Sequence, residues 1–285
     1  MNLETGKDWL KYARERISNI SDTPNLDVEI LFRTVCLVDR TALVSTKEIF
    51  LDNIQLDNLE ILLERRIKGE PIAYLLGEKE FWSMKLYVTE DTLIPRPETE
   101  LLVECALSRI GPSTATQVLD LGTGSGAIAL ALALERPSIN VTATDICQKA
   151  LQIASRNAKL HGIKNVVFRA GNWFDAVPKR LYSLITCNPP YVAPNDPYLD
   201  ILQTKFEPRL ALMSDDGGMA AFQKIISAAP HSLAPRGWLL LEHGHQQQYA
   251  VENLLVEAKF DSIIHYRDMR GKPRVTAASI TDSSP

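Results

Sequence analysis

Apolar residues in the first 70 positions recur at helical spacing. Trp9, Leu10, Ala13 and Ile17 fall on one face of a helix. Two further sets keep the same period: Val28, Leu31, Phe32, Val35 and Cys36, then Leu56, Leu59, Leu62, Leu63 and Ile67. We expect Asn25 to cap the second helix, and Gly69 with Pro71 to end the last one. The pattern predicts a small helical bundle over residues 1–79 with no catalytic constellation.

From residue 94 onward, apolar runs that predict strands alternate with segments that predict helices. The predicted order is helix from Pro97 to about Arg109, strand 117–121, helix 125–135, strand 139–144, helix 147–160, strand 165–170, strand 181–187, helix 216–229, strand 237–242, helix 245–258, and a closing hairpin of 260–265 and 275–280. Alternation at this spacing predicts an α/β domain, 94–285, built on a parallel sheet with right-handed crossovers. Between the two parts, alternating apolar residues predict a β-hairpin linker over 80–93. The tail 281–285 is expected to be disordered.

A polar turn follows one of these strands. Asn188-Pro189-Pro190-Tyr191 comes directly after the apolar run 181–187, and two prolines cannot continue a central strand because they lack an N–H. An amide, backbone carbonyls and an aromatic ring therefore lie at the carboxyl end of a strand, where ligands bind in open α/β sheets. The Asn188 oxygen and the Pro189 carbonyl could each accept an N–H from a planar nitrogen, with Tyr191 on its flat face. An ordinary strand-ending turn is the alternative.

A glycine-rich turn lies upstream. Gly122-Thr123-Gly124-Ser125-Gly126 stands between an apolar strand and a helix beginning near Ser125, so that a ligand can approach the backbone closely. Asp145 ends the next strand, about 20 residues on, as expected for a carboxylate that binds ribose hydroxyls. The glycine spacing alone does not exclude a nicotinamide cofactor. Together with the Asn-Pro-Pro-Tyr turn, it favours a nucleoside-containing cofactor beside a nitrogen substrate.

With these features in this order, the chain resembles class I S-adenosylmethionine-dependent methyltransferases that modify amino or amide nitrogens. In that group an Asn/Asp-Pro-Pro-Tyr/Phe turn holds the target nitrogen. The chain is more narrowly similar to the peptide chain release factor glutamine methyltransferases, over about residues 5 to 280. The matching segments are Tyr74–Gly77, Glu80–Trp82, Leu93–Glu100, Asn172–Phe174, Phe206–Pro208 and Leu240–Gly244.

The resemblance implies a Rossmann-like sheet of seven strands with the last antiparallel, and S-adenosylmethionine as cofactor, with S-adenosylhomocysteine as product. It implies cofactor contacts from the glycine turn, Asp145, Asn188 and Trp173, the last beside the adenine. The family often has Asp where this chain has Asn172, and an amide cannot act purely as an acceptor. The implied substrate is the Gly-Gly-Gln glutamine of class-1 release factors, methylated at N5, with residues 188–191 holding it. The helical bundle is then expected to recognise the substrate protein.

Composition and charge exclude several other classes of protein. The chain has 285 residues, 45% hydrophobic and 23% charged, with a net charge of −4. Residues 81–285 contain equal numbers of acidic and basic side chains, without the basic excess of a duplex nucleic-acid binder. No membrane-spanning run or signal-peptide core is present. The four cysteines form no C-x-x-C pair, so we expect buried thiols in a cytoplasmic protein, and no metal site.

Three alternatives stay open. A glutamine methyltransferase acting on a ribosomal protein would share the chemistry. A DNA adenine methyltransferase also uses Asn-Pro-Pro-Tyr, although base flipping requires phosphate contacts that this charge balance does not favour. A non-catalytic cofactor-binding protein is disfavoured by the intact turn at Asn188. His243 could be a general base, but amide methylation does not require one, and we expect it to be structural.

Overall fold

The computed structural model describes residues 5–44, 48–111, 116–202 and 204–280. The chain divides into two units, of which the first comprises residues 1–77 together with 201–206 and the second comprises 78–200 together with 207–285. The hairpin expected as a linker belongs to the second unit. The tail 281–285 lies outside the described residues.

The first unit is helical. Its helices are α1 (Gly6–Ile17), α2 (Pro24–Cys36), α3 (Arg40–Val44), α4 (Asn53–Ile67) and α5 (Ile72–Leu76), with a short 3₁₀ turn at Thr204–Phe206. The Thr5 hydroxyl caps α1 by accepting from the Asp8 N–H, and Asp52 caps α4. The expectation that Asn25 caps α2 is wrong. The helix begins at Pro24, two residues before the start that an Asn25 cap implies, because Pro24 has the backbone angle that the first helical position requires.

The core of this unit follows the predicted stripes. Trp9, Ala13 and Ile17 of α1 are fully buried against apolar residues of α2 and α4. One ion pair lies inside it: Arg66 Nε is 2.8 Å from Asp27 Oδ2, and both side chains are less than a tenth exposed. The pair is viable because Ser21 and Thr23 also donate to the Asp27 carboxylate.

The second unit contains the alternating strands and helices. In chain order its elements are β1 (Glu78–Phe81), β2 (Met84–Tyr87), α6 (Thr99–Leu107), β3 (Gln117–Leu121), α7 (Ala127–Glu135), β4 (Asn140–Asp145), α8 (Gln148–Leu160), β5 (Val166–Ala170), β6 (Tyr182–Cys187), α9 (Arg209–Leu212), α10 (Asp215–Gly218), α11 (Ala220–Ala228), β7 (Leu233–Glu242), α12 (Gln248–Glu257), β8 (Ser262–Arg267) and β9 (Pro273–Ser279), with 3₁₀ turns at Pro197–Asp200 and Ala229–His231.

Strands β3 to β9 form one sheet within the described residues, in the order β5-β4-β3-β6-β7-β9-β8. Neighbours from β5 to β7 pair in parallel, and β9 is antiparallel to both β7 and β8. The predicted fold, with an antiparallel last strand, is confirmed. Strand β3 is almost wholly buried and α7 packs apolar residues on all sides, as a sheet covered on both faces demands.

The strand order places the site. The sequence order of the strands reverses between β3 and β6, and ligands bind at the carboxyl ends of strands beside such a reversal. Five chain segments leave the sheet along this edge: the glycine turn after β3, Asp145 ending β4, the segment after β5 that carries Trp173, Asn188 after β6 and Glu242 ending β7.

The structure differs most from the prediction in this unit at one helix and at the hairpin. The helix expected over 216–229 is interrupted, because Asp216 and Gly217 adopt left-handed backbone angles, with φ of 55° and 63°. The linker hairpin lies earlier than 80–93, with Trp82 and Ser83 forming its two-residue turn. Among the described residues, no helix combines the length and apolar character needed to cross a bilayer.

Candidate functional site

The glycine turn follows β3 with three residues in positive-φ backbone conformations. Gly122, Gly124 and Gly126 all have positive φ, of 68°, 55° and 87°, which glycine adopts at little cost. Helix α7 therefore begins at Ala127, two residues later than predicted. A Cβ on Gly126 would lie 3.0 Å from Leu130 and 3.2 Å from Ala154, so this glycine also allows helix packing.

Asp145 organises this turn from the neighbouring strand. Its Oδ2 accepts from the Gly124 N–H and its Oδ1 from the Cys147 N–H, both at 2.8 Å. Desolvation by burial raises the pKa of this carboxyl, and the backbone N–H groups of Cys147, Gly124 and Ile146 oppose that rise. Since a carboxylate offers about four acceptor positions, Asp145 keeps capacity for ligand hydroxyl groups.

A cavity of about 400 Å³ opens over the turn, here called the glycine-turn cavity. Its walls include Gly122, Gly124, Asp145, Trp173, Asn188 and Pro190. Asn172 also lines it. Thr123, Ser125 and Gly126, although on the predicted cofactor turn, do not line it. The Trp173 ring packs over the turn, 3.4 Å from where a Cβ on Gly122 would stand. The cavity is thus a mainly apolar slot, in which the Asp145 carboxylate bonds the glycine turn and the amides of Asn172 and Asn188 line the wall.

The Asn-Pro-Pro-Tyr turn is fixed from behind. The Tyr191 carbonyl accepts from Gln247 Nε2 at 3.0 Å, and the Gln247 oxygen in turn accepts from the Gly244 N–H. Gly218 passes so close that a Cβ there would lie 2.3 Å from the Tyr191 oxygen. Its φ of 90° also favours glycine. The turn is therefore rigidly supported.

A second cavity of about 650 Å³ lies on the other side of the turn, here called the Glu242 cavity. It is lined by Arg96, Glu98, Asn188, Pro189, Tyr191 and Glu242, with Lys272 and Arg274 among the remaining walls. Charged side chains of both signs line it, and they outnumber those of the glycine-turn cavity. One predicted residue, Asn188, lines both cavities.

Arg96 is held in this wall by a buried carboxylate. Its guanidinium donates to Glu207 Oε1, and the second Glu207 oxygen accepts from the Ile94 N–H at 3.1 Å. Glu207 is 4% exposed. The segments 93–100 and 206–208, which looked like separate family matches in the sequence, therefore meet in a single ion pair.

Two carboxyls at this edge are fully desolvated. Burial raises the pKa of Asp120, on β3, to about 7, and that of Glu242 to about 7. Asp120 accepts from the Thr186 hydroxyl at 2.9 Å. Each keeps one oxygen, Asp120 Oδ2 and Glu242 Oε2, without a hydrogen-bond partner among the described residues.

His243 and Cys187 are packed inside the protein. The His243 ring lies between the Gly244 carbonyl and the Thr276 hydroxyl, and burial lowers its pKa to about 4, so the ring is neutral. It lines neither cavity. Cys187 is fully buried, and desolvation raises the pKa of its thiol. Both positions agree with structural roles.

Comparison with known proteins identifies the family. A model described as the methyltransferase small domain matches residues 97–220, and one described as the PrmC N-terminal domain matches residues 8–77. The release factor glutamine methyltransferase of Coxiella burnetii is 45% identical over 95% of this chain and 98% of its own length. That of Yersinia pestis is 47% identical over 94% of this chain and 96% of its own length. The chain belongs to the release factor glutamine methyltransferase family.

A solved structure agrees on the fold. A methyltransferase from Pyrococcus furiosus superposes with a TM-score of 0.53 at 17% identity, covering 79% of this chain and 98% of that one. The family and the fold expected from the sequence are confirmed. The roles of the individual site residues stay predictions, although the structure gathers Asp145, Trp173 and Asn188 around one cavity.

Sequence reasoning missed two supporting residues of this family member. Asn157, on α8, is fully buried and clamps strand β2 to the glycine turn: its Oδ1 accepts from the Tyr87 N–H, and its Nδ2 donates to the Tyr87 and Ser125 carbonyls. Thr99 is the other, since Asn188 Nδ2 lies 3.3 Å from its hydroxyl. A buried polar residue on an apolar helix face was the available signal for Asn157. For Thr99 no spacing in the sequence pointed to Asn188.

Proposed function

We propose that this chain transfers a methyl group from S-adenosylmethionine to the side-chain amide nitrogen (N5) of the glutamine in the Gly-Gly-Gln motif of class-1 release factors. The position of Asn188 carries the proposal, because this one side chain lines both cavities. Neither Asn188 Oδ1 nor the Pro189 carbonyl accepts a hydrogen bond from any described residue. The names of the relatives, at 45–47% identity over nearly the whole chain, support the choice of substrate.

The glycine-turn cavity fits the cofactor. The positive φ of Gly122 and Gly124 leaves bare backbone facing the slot, and nothing lies within 4 Å of where a Cβ on Gly124 would stand. Asp145 would accept the ribose hydroxyls, Trp173 would pack beside the adenine, and Asn172 would lie nearby. When bound, S-adenosylmethionine supplies a methyl group already activated by its sulfonium, and S-adenosylhomocysteine is the product.

Asn188 and its neighbours would act on the nitrogen. An amide lone pair is delocalised, so the nitrogen is a poor nucleophile. The Asn188 oxygen and the Pro189 carbonyl would each accept one of its N–H bonds, with Tyr191 packed on the flat face of the amide. Pro190, in the other cavity wall, would fix the turn. These acceptors orient the nitrogen and stabilise positive charge as it develops there. The proton that the nitrogen loses leaves to water, so no dedicated base is invoked.

The first unit would recognise the body of the substrate protein. Both cavities are lined entirely by residues of the second unit, so the helices of residues 1–77 have no part in the chemistry itself. Binding energy from such a remote surface would then serve to order the reacting groups.

Labelled cofactor tests the proposal directly. The full-length chain is incubated with S-adenosylmethionine carrying a labelled methyl group and, separately, with release factor, ribosomal protein and duplex DNA. We expect label on release factor, and none on a release factor whose Gly-Gly-Gln glutamine is replaced by alanine. Label on ribosomal protein or on DNA instead would favour the corresponding alternative enzyme. Label on none of them would contradict the proposed function.

A further inference from the structure

The two ends of the Asn188 side chain have opposite hydrogen-bonding roles. Only Oδ1 can accept an N–H, whereas Nδ2 can only donate. A flipped amide would place two donors against the hydrogens of the substrate nitrogen. Something must therefore fix which end faces the substrate, and the packing of an amide of nearly symmetric shape does not do so.

The Thr99 hydroxyl distinguishes the two ends of the Asn188 amide. Asn188 Nδ2 donates to the Thr99 hydroxyl, 3.3 Å away. Thr99 is the first residue of α6 and is 4% exposed. It does not cap its helix, because the N-cap position is Glu98, without a side-chain cap. Its hydroxyl instead turns inward, toward the ends of β6 and β7.

Glu242 sets the direction of the hydrogen bonds. The Thr99 hydroxyl also interacts with the carboxyl of Glu242, which is 1% exposed and ends β7, and this interaction opposes the rise in the pKa of that carboxyl. When Glu242 is ionised, its carboxylate only accepts, so the single Thr99 hydroxyl proton points to Glu242. The lone pairs of the hydroxyl are then left for Asn188 Nδ2, and Oδ1 is left facing the substrate.

We infer that Thr99, oriented by Glu242, is a positioning residue for methyl transfer, which fixes the end of the Asn188 amide that meets the substrate. This inference rests on the proposed function of Asn188. It assigns a role to a side chain that lines neither cavity, and it joins three elements that are far apart in the chain.

Thr99→Val and Thr99→Ser form a matched pair in the full-length protein. Valine keeps the shape and removes the hydroxyl, whereas serine keeps the hydroxyl. For Thr99→Val we expect kcat for release factor methylation to fall about tenfold, as for loss of one hydrogen bond of about 1.4 kcal/mol. The Kd for S-adenosylhomocysteine, measured by calorimetry, should stay within twofold. Thr99→Ser should recover most of the kcat.

A double substitution separates positioning from general damage. If Thr99 acts through Asn188, Thr99→Val should cost little in a chain that already carries Asn188→Ala. A further tenfold loss there, a Thr99→Val variant as fast as wild type, or no rescue by serine would overturn the inference. If Thr99→Val does not fold, Glu242→Gln provides the test. A glutamine amide can both donate and accept, so it no longer fixes the direction of the hydrogen bond from Thr99. An unchanged kcat in this variant would overturn the inference.

The wild-type control separates the two claims. A wild-type chain that leaves release factor unmethylated overturns the proposed function, and this inference with it. A wild-type chain that methylates release factor, with Thr99→Val equally fast, overturns only the inference.

Discussion

The glycine-turn cavity and the Glu242 cavity share Asn188 but are built in different ways. In the first, the glycine turn presents bare backbone, and the Asp145 carboxylate bonds that backbone. The second gathers charged side chains from four distant segments, around Arg96, Asp196, Glu242 and Arg274. A wall of backbone recognises a constant cofactor, whereas a wall of paired charges can suit one particular protein. Changes in the first should therefore alter cofactor affinity, and changes near Asn188 should alter turnover.

The largest expected effect is at the shared residue. Asn188→Ala should lower kcat on the order of 10²–10³, by analogy with removal of one oxyanion-hole donor, while cofactor affinity changes little. Single-turnover kinetics and calorimetry measure the two quantities separately. Full activity in the variant would show that Asn188, although it lines both cavities, has no role in the mechanism.

Asp145→Ala tests the backbone-built cavity. Losing charge-assisted hydrogen bonds to ribose, each contributing roughly 1.5–3 kcal/mol, should weaken S-adenosylhomocysteine binding by about 10-fold to 100-fold. Asp145→Asn is the matched control and should lose less, because its oxygen can still accept from one backbone N–H. Unchanged affinity, or tight binding of NAD by the wild-type chain, would contradict the cofactor assignment.

Asp120→Asn tests whether burial raises the pKa of the Asp120 carboxyl on β3. The native pKa of about 7 exceeds the unfolded value near 3.9, so the folded state binds this proton more tightly. Its stabilising contribution is complete below about pH 4 and is lost as the pH rises to about 7. As the pH rises through that window, the unfolding free energy of the wild-type chain should fall more steeply than that of Asp120→Asn, by up to about 1.4 kcal/mol per pH unit. If denaturant unfolding shows the same dependence of unfolding free energy on pH in the wild-type chain and in Asp120→Asn, the pKa of Asp120 is not raised by folding.

The smallest effect concerns the first unit. Intact release factor should be methylated severalfold more efficiently, in kcat/KM, than a short Gly-Gly-Gln peptide. In a variant lacking residues 1–77 that ratio should approach one. The ratio is the useful measurement, because the deletion also leaves residues 201–206 without their helical partners and could lower activity on both substrates. An unchanged ratio would show that the helices only stabilise the chain.

The contiguous motifs of this chain were predictable, and the contacts between them were not. The glycine turn and the Asn-Pro-Pro-Tyr turn have local backbone causes, positive φ in one and missing N–H groups in the other. The bonds of Thr99 to Asn188 and of Arg96 to Glu207 depend on how the sheet brings distant segments together. The same limit explains the interrupted helix at Asp216, where the backbone makes room beside Tyr191 in a way that no helical pattern encodes.

Gly218 supports the Asn-Pro-Pro-Tyr turn, and a substitution at this position would have a specific outcome in a genetic screen. Its backbone passes against the Tyr191 carbonyl, with no room for a methyl group. An alanine there would displace the Asn-Pro-Pro-Tyr turn while leaving the glycine turn and Asp145 in place. Among randomly isolated inactive alleles, such a change would yield abundant protein that binds cofactor and transfers nothing. It would pass for a catalytic mutation, although it alters no group that reacts.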